Sequence, residues 1–196
     1  MDKKIILASN SPRRRELLAQ IGLSFTVDPA DVDESVLPGE SPEAYAVRVA
    51  LDKARIAAKR AVEGIIIAAD TIVVVGEAIL GKPADAADAR RMLTDLSGRE
   101  HKVVTGLAVV DAATVRSAAR ISATRVWFRV LSDREITAYV ATGEPLDKAG
   151  AYGIQERGAL LVERIEGCYS NVVGLPLSLL GEMLREFGIY PGRENC

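Results

Sequence analysis

Short apolar runs alternate along the chain with segments whose apolar residues recur at helical spacing. The runs at residues 4–8 and 24–27 predict two short strands. Ser11 and Pro12 begin a helix between them, because serine caps a helix end and proline fits the first helical position. Gly22 ends that helix. The first thirty residues therefore predict the order strand, helix, strand.

The middle of the chain contains its longest apolar stretch. Ser41 and Pro42 begin an alanine-rich helix that extends to about residue 62. Ile65–Val75 follows as a run rich in β-branched residues without alternation, which is the pattern of a strand buried on both faces. A helix at 85–96 then ends near Gly98. This order is typical of a protein that alternates helices and strands.

The second half of the chain begins with two long strands. Residues 103–110 and 115–130 predict strands joined by a turn as an antiparallel pair. Ser132 begins a helix to about residue 142, with Glu135 placed to complete a capping box. The remaining elements follow a glycine-rich stretch and are a strand at 160–165 and a helix at 176–187. The alternation predicts the α/β class, with an elongated mixed β-sheet flanked by helices.

The composition is that of an ordinary globular protein. The 196 residues are 48% hydrophobic and 27% charged, and no repeat or Pro/Gly/Ser-rich linker divides them. A net charge of −2 argues against a surface that coats nucleic acid. Cys168 and Cys196 are too few for a disulfide framework, and the longest apolar run is too short to span a bilayer. The first residues lack the pattern of a signal peptide, so we expect a cytoplasmic protein without membrane or nucleic-acid partners.

Three arginines occupy the first turn of the first predicted helix. Arg13, Arg14 and Arg15 follow the Ser/Asn turn at residues 9–12, although free N–H groups already make this helix end positive. An anion would neutralise them, and a strand, a short turn and a helix N-terminus together suit a polyphosphate. Alternatively, the side chains spread into solvent and pair with Glu16 or other carboxylates. The pattern favours an anion site, and it is not a P-loop.

A single carboxylate interrupts the apolar central strand. Asp70 lies inside Ile65–Val75, where its burial costs free energy unless a cation or a metal pairs with it. A strand that crosses the floor of a cleft could present this group to a substrate. A structural salt bridge, or a bulge that turns Asp70 to solvent, is the alternative. Lys82, between Gly81 and Pro83, could reach Asp70 or a phosphate, or simply face solvent.

Residues 143–155 combine two glycines with several polar side chains. Gly150 and Gly153 permit close approach of the backbone to a ligand. The polar contacts available in this segment are Glu144, Asp147, Lys148 and Gln155. The alternative is an Ω-loop that packs on its own Tyr152.

Other charged residues have more than one interpretation. The acidic group Asp31, Asp33 and Glu34 could coordinate a divalent cation, although such runs are more often solvated loops. Lys53, on the alanine-rich helix, is equally ambiguous. His101 is the only histidine, which argues against a histidine-based triad or a zinc site with several histidines. Spacing alone thus predicts a polyphosphate-binding α/β enzyme that uses carboxylates and a hard metal ion.

Four separated segments together resemble the Maf family of nucleoside triphosphate pyrophosphatases, whose historical name is septum formation inhibitor. They are ASNSPRR at 8–14, ADTIV at 69–73, GKP at 81–83 and EPLDKAGAYGIQ at 144–155. The resemblance extends from residue 5 to about 187 and implies a single Maf-like domain over residues 1–196. It implies a fold similar to inosine triphosphate pyrophosphatase, with two lobes and a central cleft, often in a homodimer. The last segment is more similar to the dTTP/UTP subgroup than to the subgroup that acts on methylated GTP.

The resemblance also implies roles for individual residues. By this resemblance Asp70 is the proton acceptor that activates water, and it touches water, a divalent metal cation (Mg²⁺, Mn²⁺ or Co²⁺) or both. Glu34 contacts the metal or water. Base selectivity is associated with Arg13, Thr71 and Gln155. The positions that contact phosphate or substrate are Ser9, Arg14, Lys53, Lys82 and Lys148.

The implied reaction is hydrolysis of dTTP and UTP to the monophosphate and pyrophosphate. The implied role of such an enzyme is to remove non-standard or modified nucleotides. Two alternatives stay open at this point. One is a nucleotide-sensing regulator of cell division and septum formation, and the other is a pyrophosphatase for modified purine triphosphates.

Overall fold

A mixed sheet of seven strands runs through the computed structural model, which describes residues 3–192. The strands are β1 (Ile5–Leu7), β2 (Phe25–Val27), β3 (Ile65–Val75), β4 (Ala78–Leu80), β5 (Glu100–Asp111), β6 (Ser117–Phe128) and β7 (Val162–Glu166). Their order is β2-β1-β3-β5-β6-β7, with β4 paired to β3. β1 runs parallel to β2 and β3, whereas β4 is antiparallel to β3 and β7 is antiparallel to β6. The predicted α/β class with a mixed sheet is confirmed; Cys196 lies outside the described residues.

Helices connect these strands. Within residues 3–192 they are α1 (Pro12–Gln20), α2 (Pro42–Arg60), α3 (Ala86–Leu96), α4 (Asp133–Val140), α5 (Tyr169–Val173) and α6 (Leu177–Glu186). Three short 3₁₀ helices occupy the glycine-rich stretch, at Glu144–Asp147, Ala149–Ala151 and Glu156–Leu160. None of the described helices is long and apolar enough to cross a membrane.

Side-chain caps begin four helices where the sequence places them. Ser11 and Ser41 each accept a hydrogen bond from the backbone N–H three residues later, and a proline follows each as the first helical residue. Asp85 caps α3 in the same way, and Ser132 forms the predicted capping box with Glu135. Each cap contributes about 1 kcal/mol. Local side-chain chemistry therefore determines the starts of these helices.

The described residues group into two compact units, each assembled from separate stretches of chain. The first unit comprises residues 3–70, 105–122 and 174–192, and the second comprises 71–104 and 123–173. Neither unit is a continuous half of the chain. The single domain over residues 1–196 and the central cleft between two lobes stay predictions.

Small residues bring α2 close to the sheet in the first unit. Ala50, Ala54 and Ala57 of α2 are fully buried and belong to one apolar cluster with Ile66 of β3. A Cβ atom added to Gly106 of β5 would lie 2.0 Å from the backbone carbonyl oxygen of Ala46. The backbones of α2 and β5 are therefore in direct contact, which only glycine permits.

The core of the second unit is built around α3 and α4. Leu93 and Leu96 of α3 are fully buried in one apolar cluster with Ile136 and Tyr139 of α4. Phe128, at the end of β6, belongs to the same cluster. The helical spacing of Ile136 and Tyr139 thus reflects packing in the core.

Element ends differ from the prediction where local geometry, rather than apolar pattern, decides. The last strand begins at Val162 and not at residue 160, because Glu156–Leu160 forms a 3₁₀ helix. β5 begins at Glu100 and not at residue 103, since alternation of exposed and buried residues already starts there. β4 and α5 have three and five residues, too few for a periodic pattern to reveal them.

His101 is an ionisable residue buried within β5, with 2% of its surface exposed. Burial lowers its pKa from 6.5 to about 4, while the Glu100 carboxylate acts weakly in the opposite direction. The native protein therefore holds a neutral imidazole at every pH above about 4.

We expect the free energy of unfolding to fall as the pH falls from 6.5 to 4. The unfolded chain protonates His101 near pH 6.5 and the native protein only near 4, so the unfolded state binds more protons in this window. This pKa difference corresponds to about 3 kcal/mol. Denaturant titrations of the wild type and of His101→Gln should show that excess loss in the wild type alone. Parallel losses in both proteins would contradict the prediction.

Candidate active site

A lysine joins two carboxylates at the centre of the candidate site. The Nζ atom of Lys53, on α2, lies 2.8 Å from Oδ1 of Asp70 and 2.6 Å from Oε1 of Glu34. Asp70 is buried in β3, and the side chains of Asp70 and Lys53 are only 11% and 13% exposed. The cation that offsets the burial of Asp70 is thus Lys53, whereas the sequence points to Lys82 as the lysine that could reach this carboxylate. These three side chains carry a formal net charge of −1.

The loop that carries Glu34 is fastened to α2 by two side chains. The Tyr45 hydroxyl donates a hydrogen bond to the backbone carbonyl of Glu34 at 2.9 Å. Arg48 donates from Nη2 to the Ser35 carbonyl and forms a bidentate pair with the Glu40 carboxylate at 2.6 and 2.8 Å. Burial, together with the negative charges of Asp70 and Glu34, raises the pKa of Tyr45 to about 12. The phenol therefore stays protonated and keeps donating at neutral pH.

Sequence reasoning missed Tyr45 and Arg48. The available signal was their position on α2, since Tyr45 and Lys53 are eight residues apart and hence lie on one face of the helix. That signal shows which face they share, but it does not show which loop crosses that face.

Tyr45→Phe should loosen the loop that carries Glu34 without removing a charge. The variant leaves the Glu34 carbonyl without its tyrosine donor, which we expect to cost about 1 kcal/mol in the free energy of unfolding. Hydrogen exchange in residues 31–40 should accelerate, whereas Tyr169→Phe, which alters a tyrosine that is 50% exposed, should change neither quantity. Unchanged exchange in this loop would show that Arg48 alone fastens it.

A second set of contacts fixes Arg14 at the start of α1. Its Nη1 atom donates to Oγ of Ser9 at 3.1 Å, and its Nε atom donates to the backbone carbonyl of Gly174 at 2.9 Å. Oγ of Ser9 also accepts from the backbone N–H of Ser11 at 3.2 Å. Burial lowers the pKa of Arg14, and the negative charge of Asp70 opposes that shift. Arg14 is therefore a positioned cation within electrostatic reach of Asp70.

The three arginines of this turn differ in exposure. Arg15 is exposed, and its Nη2 atom donates to the backbone carbonyl of Asn10 at 3.2 Å. Arg13 and Arg14 are half-buried, and α1 has no acidic residue in its first turn. Arg15 is thus the exposed member of the three and bonds to its own turn, and its convergence with the other two on an anion stays a prediction.

The remaining predicted residues belong to the second unit. Lys82 is exposed, and Thr71 and Gln155 are half-buried. Lys148 donates from Nζ to the Glu144 carbonyl at 2.6 Å and to Oδ1 of Asp147 at 2.8 Å. Lys148 thus stabilises its own segment. If Lys148 also binds a ligand, that role has to be compatible with these two contacts.

The glycines of the segment have a packing reason that sequence reasoning did not anticipate. A Cβ atom on Gly150, whose φ is +67°, would lie 2.8 Å from Cγ2 of Val73. A Cβ atom on Gly153 would lie 2.9 Å from Cε of Lys148, and one on Gly158 would lie 2.0 Å from the carbonyl oxygen of Gly153. Close approach therefore occurs within the protein itself, while approach to a ligand stays a prediction.

The acidic loop does not form a multidentate metal site on its own. Asp31 and Asp33 are exposed, and Oδ1 of Asp33 accepts from the Ser35 backbone N–H at 2.9 Å. Among residues 3–192, no group of three or more His, Cys, Asp or Glu side chains is arranged to hold a metal ion. Glu34 and Asp70 do converge on one cationic atom, Nζ of Lys53, so two hard oxygen donors already face one position of positive charge. Such a pair suits Mg²⁺, which commonly takes one or two carboxylates and completes its shell with water and phosphate oxygens.

Comparison with known proteins finds relatives that match nearly the whole chain. The family description "Maf-like protein" matches residues 4–187. A dTTP/UTP pyrophosphatase of Geobacter metallireducens is 53% identical over 187 residues, which cover 95% of this chain and 97% of that protein. A dTTP/UTP pyrophosphatase of Moorella thermoacetica is 54% identical over 186 residues, covering 95% and 96%.

Solved structures share the fold. The structure of a HAM1 protein from Coxiella burnetii has a TM-score of 0.55 at 18% identity and covers 94% of this chain and 100% of that one. The Staphylococcus aureus Ham1 protein has a TM-score of 0.54 at 19% identity, with the same coverage. At these identities the likeness concerns the fold alone, and it agrees with the predicted fold class.

Proposed function

We infer that this chain, which belongs to the Maf family, is a nucleoside triphosphate pyrophosphatase that hydrolyses dTTP and UTP to the monophosphate and pyrophosphate. Relatives that bear the name dTTP/UTP pyrophosphatase match nearly the whole chain, which supports this activity. The observation that carries the proposal is the buried Asp70 carboxylate, held by Lys53 next to Glu34.

Asp70 is the group we assign to proton transfer. The oxygen of a water molecule attacks the α-phosphorus, and the bond from that phosphorus to the oxygen that bridges to the β-phosphate breaks. Pyrophosphate leaves with the electron pair of the broken bond, and the carboxylate of Asp70 accepts a proton from the water. Lys53 engages Oδ1 of Asp70, so we assign the proton to Oδ2. The hydrogen bond fixes the orientation of the carboxylate, which proximity catalysis requires.

Cationic and hydroxyl groups are proposed to bind the triphosphate. The proposed set is Ser9, Arg14, Lys53, Lys82 and Lys148. Support is strongest for Arg14, because two hydrogen bonds to Ser9 and Gly174 hold its guanidinium before any anion binds. A positioned cation needs no reorganisation when negative charge develops on the phosphoryl oxygens, so such groups supply a large share of rate enhancement.

A divalent metal cation is proposed as cofactor, with Glu34 and Asp70 as the residues that would hold it. Both carboxylates contact the same atom, Nζ of Lys53, so their oxygens lie close enough together for one cation to bind both, which supports this choice. Mg²⁺, Mn²⁺ and Co²⁺ all accept oxygen donors. When bound, the ion would neutralise charge on the phosphates and polarise the attacking water.

Selection of the base is assigned to Arg13, Thr71 and Gln155. A carboxamide and a hydroxyl can both donate to and accept from the edge of uracil, which offers O4 as acceptor and N3–H as donor. Cytosine reverses that pattern, and purines are larger than the pyrimidine ring. We therefore expect dTTP and UTP to give the highest kcat/KM, followed by CTP and then by GTP and ATP.

Gln155→Ala should reduce this selectivity. Removal of the carboxamide leaves partners at the base edge unpaired, which is worth about 1–3 kcal/mol in discrimination. The ratio of kcat/KM for UTP to that for CTP should therefore fall roughly fivefold or more. Arg157→Ala, which alters an exposed side chain two residues away, is the matched control. Steady-state kinetics with both nucleotides measure the ratio. The same ratio in Gln155→Ala and wild type would remove Gln155 from the assignment.

One experiment separates the proposed activity from its alternatives. The purified protein is given UTP, dTTP, CTP, ATP, GTP and a methylated GTP with Mg²⁺, Mn²⁺ or Co²⁺, and released pyrophosphate is measured. Preferred turnover of UTP and dTTP supports the proposal. The proposed role of the enzyme includes the removal of modified pyrimidine nucleotides. Preference for a methylated GTP would indicate a pyrophosphatase for modified purines. Nucleotide binding without turnover would indicate a sensor of the kind that the septum-formation name implies.

Location and assembly follow from the same proposal. Nucleoside triphosphates are made and used in the cytoplasm, so we propose a cytoplasmic enzyme whose partner is its small-molecule substrate, without membrane or nucleic-acid partners. A homodimer is proposed on the family resemblance. Light scattering of the purified protein measures the mass, and a monomer at micromolar concentration would contradict the dimer.

A further inference from the structure

Three aromatic rings form a buried cluster in the second unit that the proposed mechanism does not use. His101 of β5, Phe128 of β6 and Tyr152 are 2%, 2% and 5% exposed. Their ring centroids are 4.7 to 5.3 Å apart, and all three pairs meet edge to face. Such pairs contribute free energy to the stability of a core in addition to that of the apolar area that they bury.

One hydrogen bond within this cluster joins two polar atoms in an otherwise apolar setting. Nε2 of His101 lies 2.7 Å from the hydroxyl oxygen of Tyr152. Burial raises the pKa of Tyr152, and the imidazole is neutral above about pH 4, so the pair is uncharged at neutral pH. Nδ1 of His101 is buried without a hydrogen-bond partner among the described residues. Among the described residues, the imidazole of His101 therefore makes its hydrogen bond with the Tyr152 hydroxyl.

Tyr152 lies between two residues proposed to contact the nucleotide. It follows Lys148 by four positions and precedes Gln155 by three. The backbone around it is strained, because Ala151 has a φ of +59° and Glu156 a φ of +54°, in the region that disfavours side chains. Strained residues persist only where the surroundings determine them.

Backbone contacts fasten the segment on either side of Tyr152. The Gly150 N–H donates to the Gly81 carbonyl at 2.9 Å, and the Gly153 N–H donates to the Tyr139 hydroxyl at 3.3 Å. The side chain of Tyr152 projects between these two points into the cluster with His101. A hydrogen bond is directional, so the bond to Nε2 of His101 constrains the orientation of that ring in addition to its apolar contacts.

We propose that His101 is a positioning residue, which fixes Tyr152 and through it the course of the backbone from Lys148 to Gln155. The discrimination between pyrimidine bases then depends on a buried imidazole that the nucleotide does not touch. The inference rests on the proposed function for the role of Gln155, and on the structure alone for the role of His101 toward the segment.

The test compares two substitutions at His101. His101→Phe keeps an aromatic ring for the edge-to-face contacts and removes the hydrogen bond. His101→Gln loses the ring but keeps an amide that can reach the Tyr152 hydroxyl. Tyr152→Phe removes the hydrogen bond from the other side, and it serves as the equivalent variant if His101→Phe does not fold.

We expect His101→Phe to lower the ratio of kcat/KM for UTP to that for CTP at least about fivefold, mainly by raising KM for UTP. His101→Gln should keep the ratio within twofold of the wild type, and Tyr152→Phe should behave like His101→Phe. Hydrogen exchange of the ligand-free proteins at residues 149–153 should be faster in the two phenylalanine variants only. A folded His101→Phe or Tyr152→Phe with the wild-type ratio and wild-type exchange would overturn the proposal.

The two proposals fail in different ways. Absence of UTP hydrolysis by the wild-type protein would count against the proposed function, and exchange at residues 149–153 would still decide whether His101 positions the segment. Normal UTP hydrolysis with unchanged selectivity in the phenylalanine variants would count against His101 alone. A ratio that falls equally in His101→Phe and His101→Gln would show that ring packing, and not the hydrogen bond, fixes the segment, and it would also overturn the proposal.

Discussion

Asp70→Asn should lower kcat for UTP hydrolysis by at least about a hundredfold, the usual scale for loss of a general base. The amide has the shape of the carboxylate but cannot take the proton of the attacking water. Steady-state kinetics and calorimetric binding of a non-hydrolysable UTP analogue separate the two steps, and binding should persist. Glu43→Gln, which alters an exposed carboxylate of α2, is the matched control. A kcat for Asp70→Asn close to that of the wild type would leave Asp70 as a structural ion pair.

Lys53→Met should impair both stability and catalysis. Methionine has a similar length but no charge, so the variant leaves Asp70 and Glu34 facing each other without the cation between them. Breaking a largely buried ion pair costs about 3 kcal/mol in the free energy of unfolding. Because the orientation of Asp70 also depends on Lys53, we expect kcat/KM for UTP to fall about a hundredfold.

Denaturant unfolding and steady-state kinetics measure the two effects of Lys53→Met. Lys59→Met changes an exposed lysine of the same helix and should alter neither quantity. Divalent cation should restore part of the lost stability, because Glu34 and Asp70 would then share an ion in place of the ammonium group. Wild-type stability in Lys53→Met would show that the contacts to Lys53 contribute nothing, and it would remove Lys53 from the site.

Local chemistry made part of the fold predictable. The caps at Ser11, Ser41 and Ser132 act on residues three positions away, so the sequence alone shows them. The strand Ile65–Val75 is long and apolar except at Asp70 and Thr71, and its limits match the prediction. Features that depend on residues close together in the chain can therefore be predicted from the sequence alone.

The partners of the site residues were less accessible. Asp70 stands out because it is the only charge in an apolar strand. That Lys53 is its partner depends on how α2 packs on the sheet, which the sequence does not show. Arg14 bonds to the carbonyl of Gly174, 160 residues away. No spacing rule relates such positions, because packing of whole elements brings them together.

For the glycine-rich segment, the sequence correctly predicts a close approach of the backbone to another group, but the reason given for it, a ligand, was incomplete. Gly150 does sit where the backbone approaches another group closely, but that group is Val73. The alternative of a loop packed on Tyr152 is also partly right, because Tyr152 is buried with His101. A glycine with positive φ or a buried tyrosine looks the same in a sequence whether it serves packing or ligand binding. The sequence alone therefore does not distinguish the two.

Hydrolysis of UTP in water enriched in ¹⁸O tests the central claim most directly. The claim is that Asp70 directs a water molecule at the α-phosphorus. Mass spectrometry of the products should then find the label in the phosphate of UMP and none in pyrophosphate. Label in pyrophosphate, or the release of UDP and labelled orthophosphate, would contradict the account.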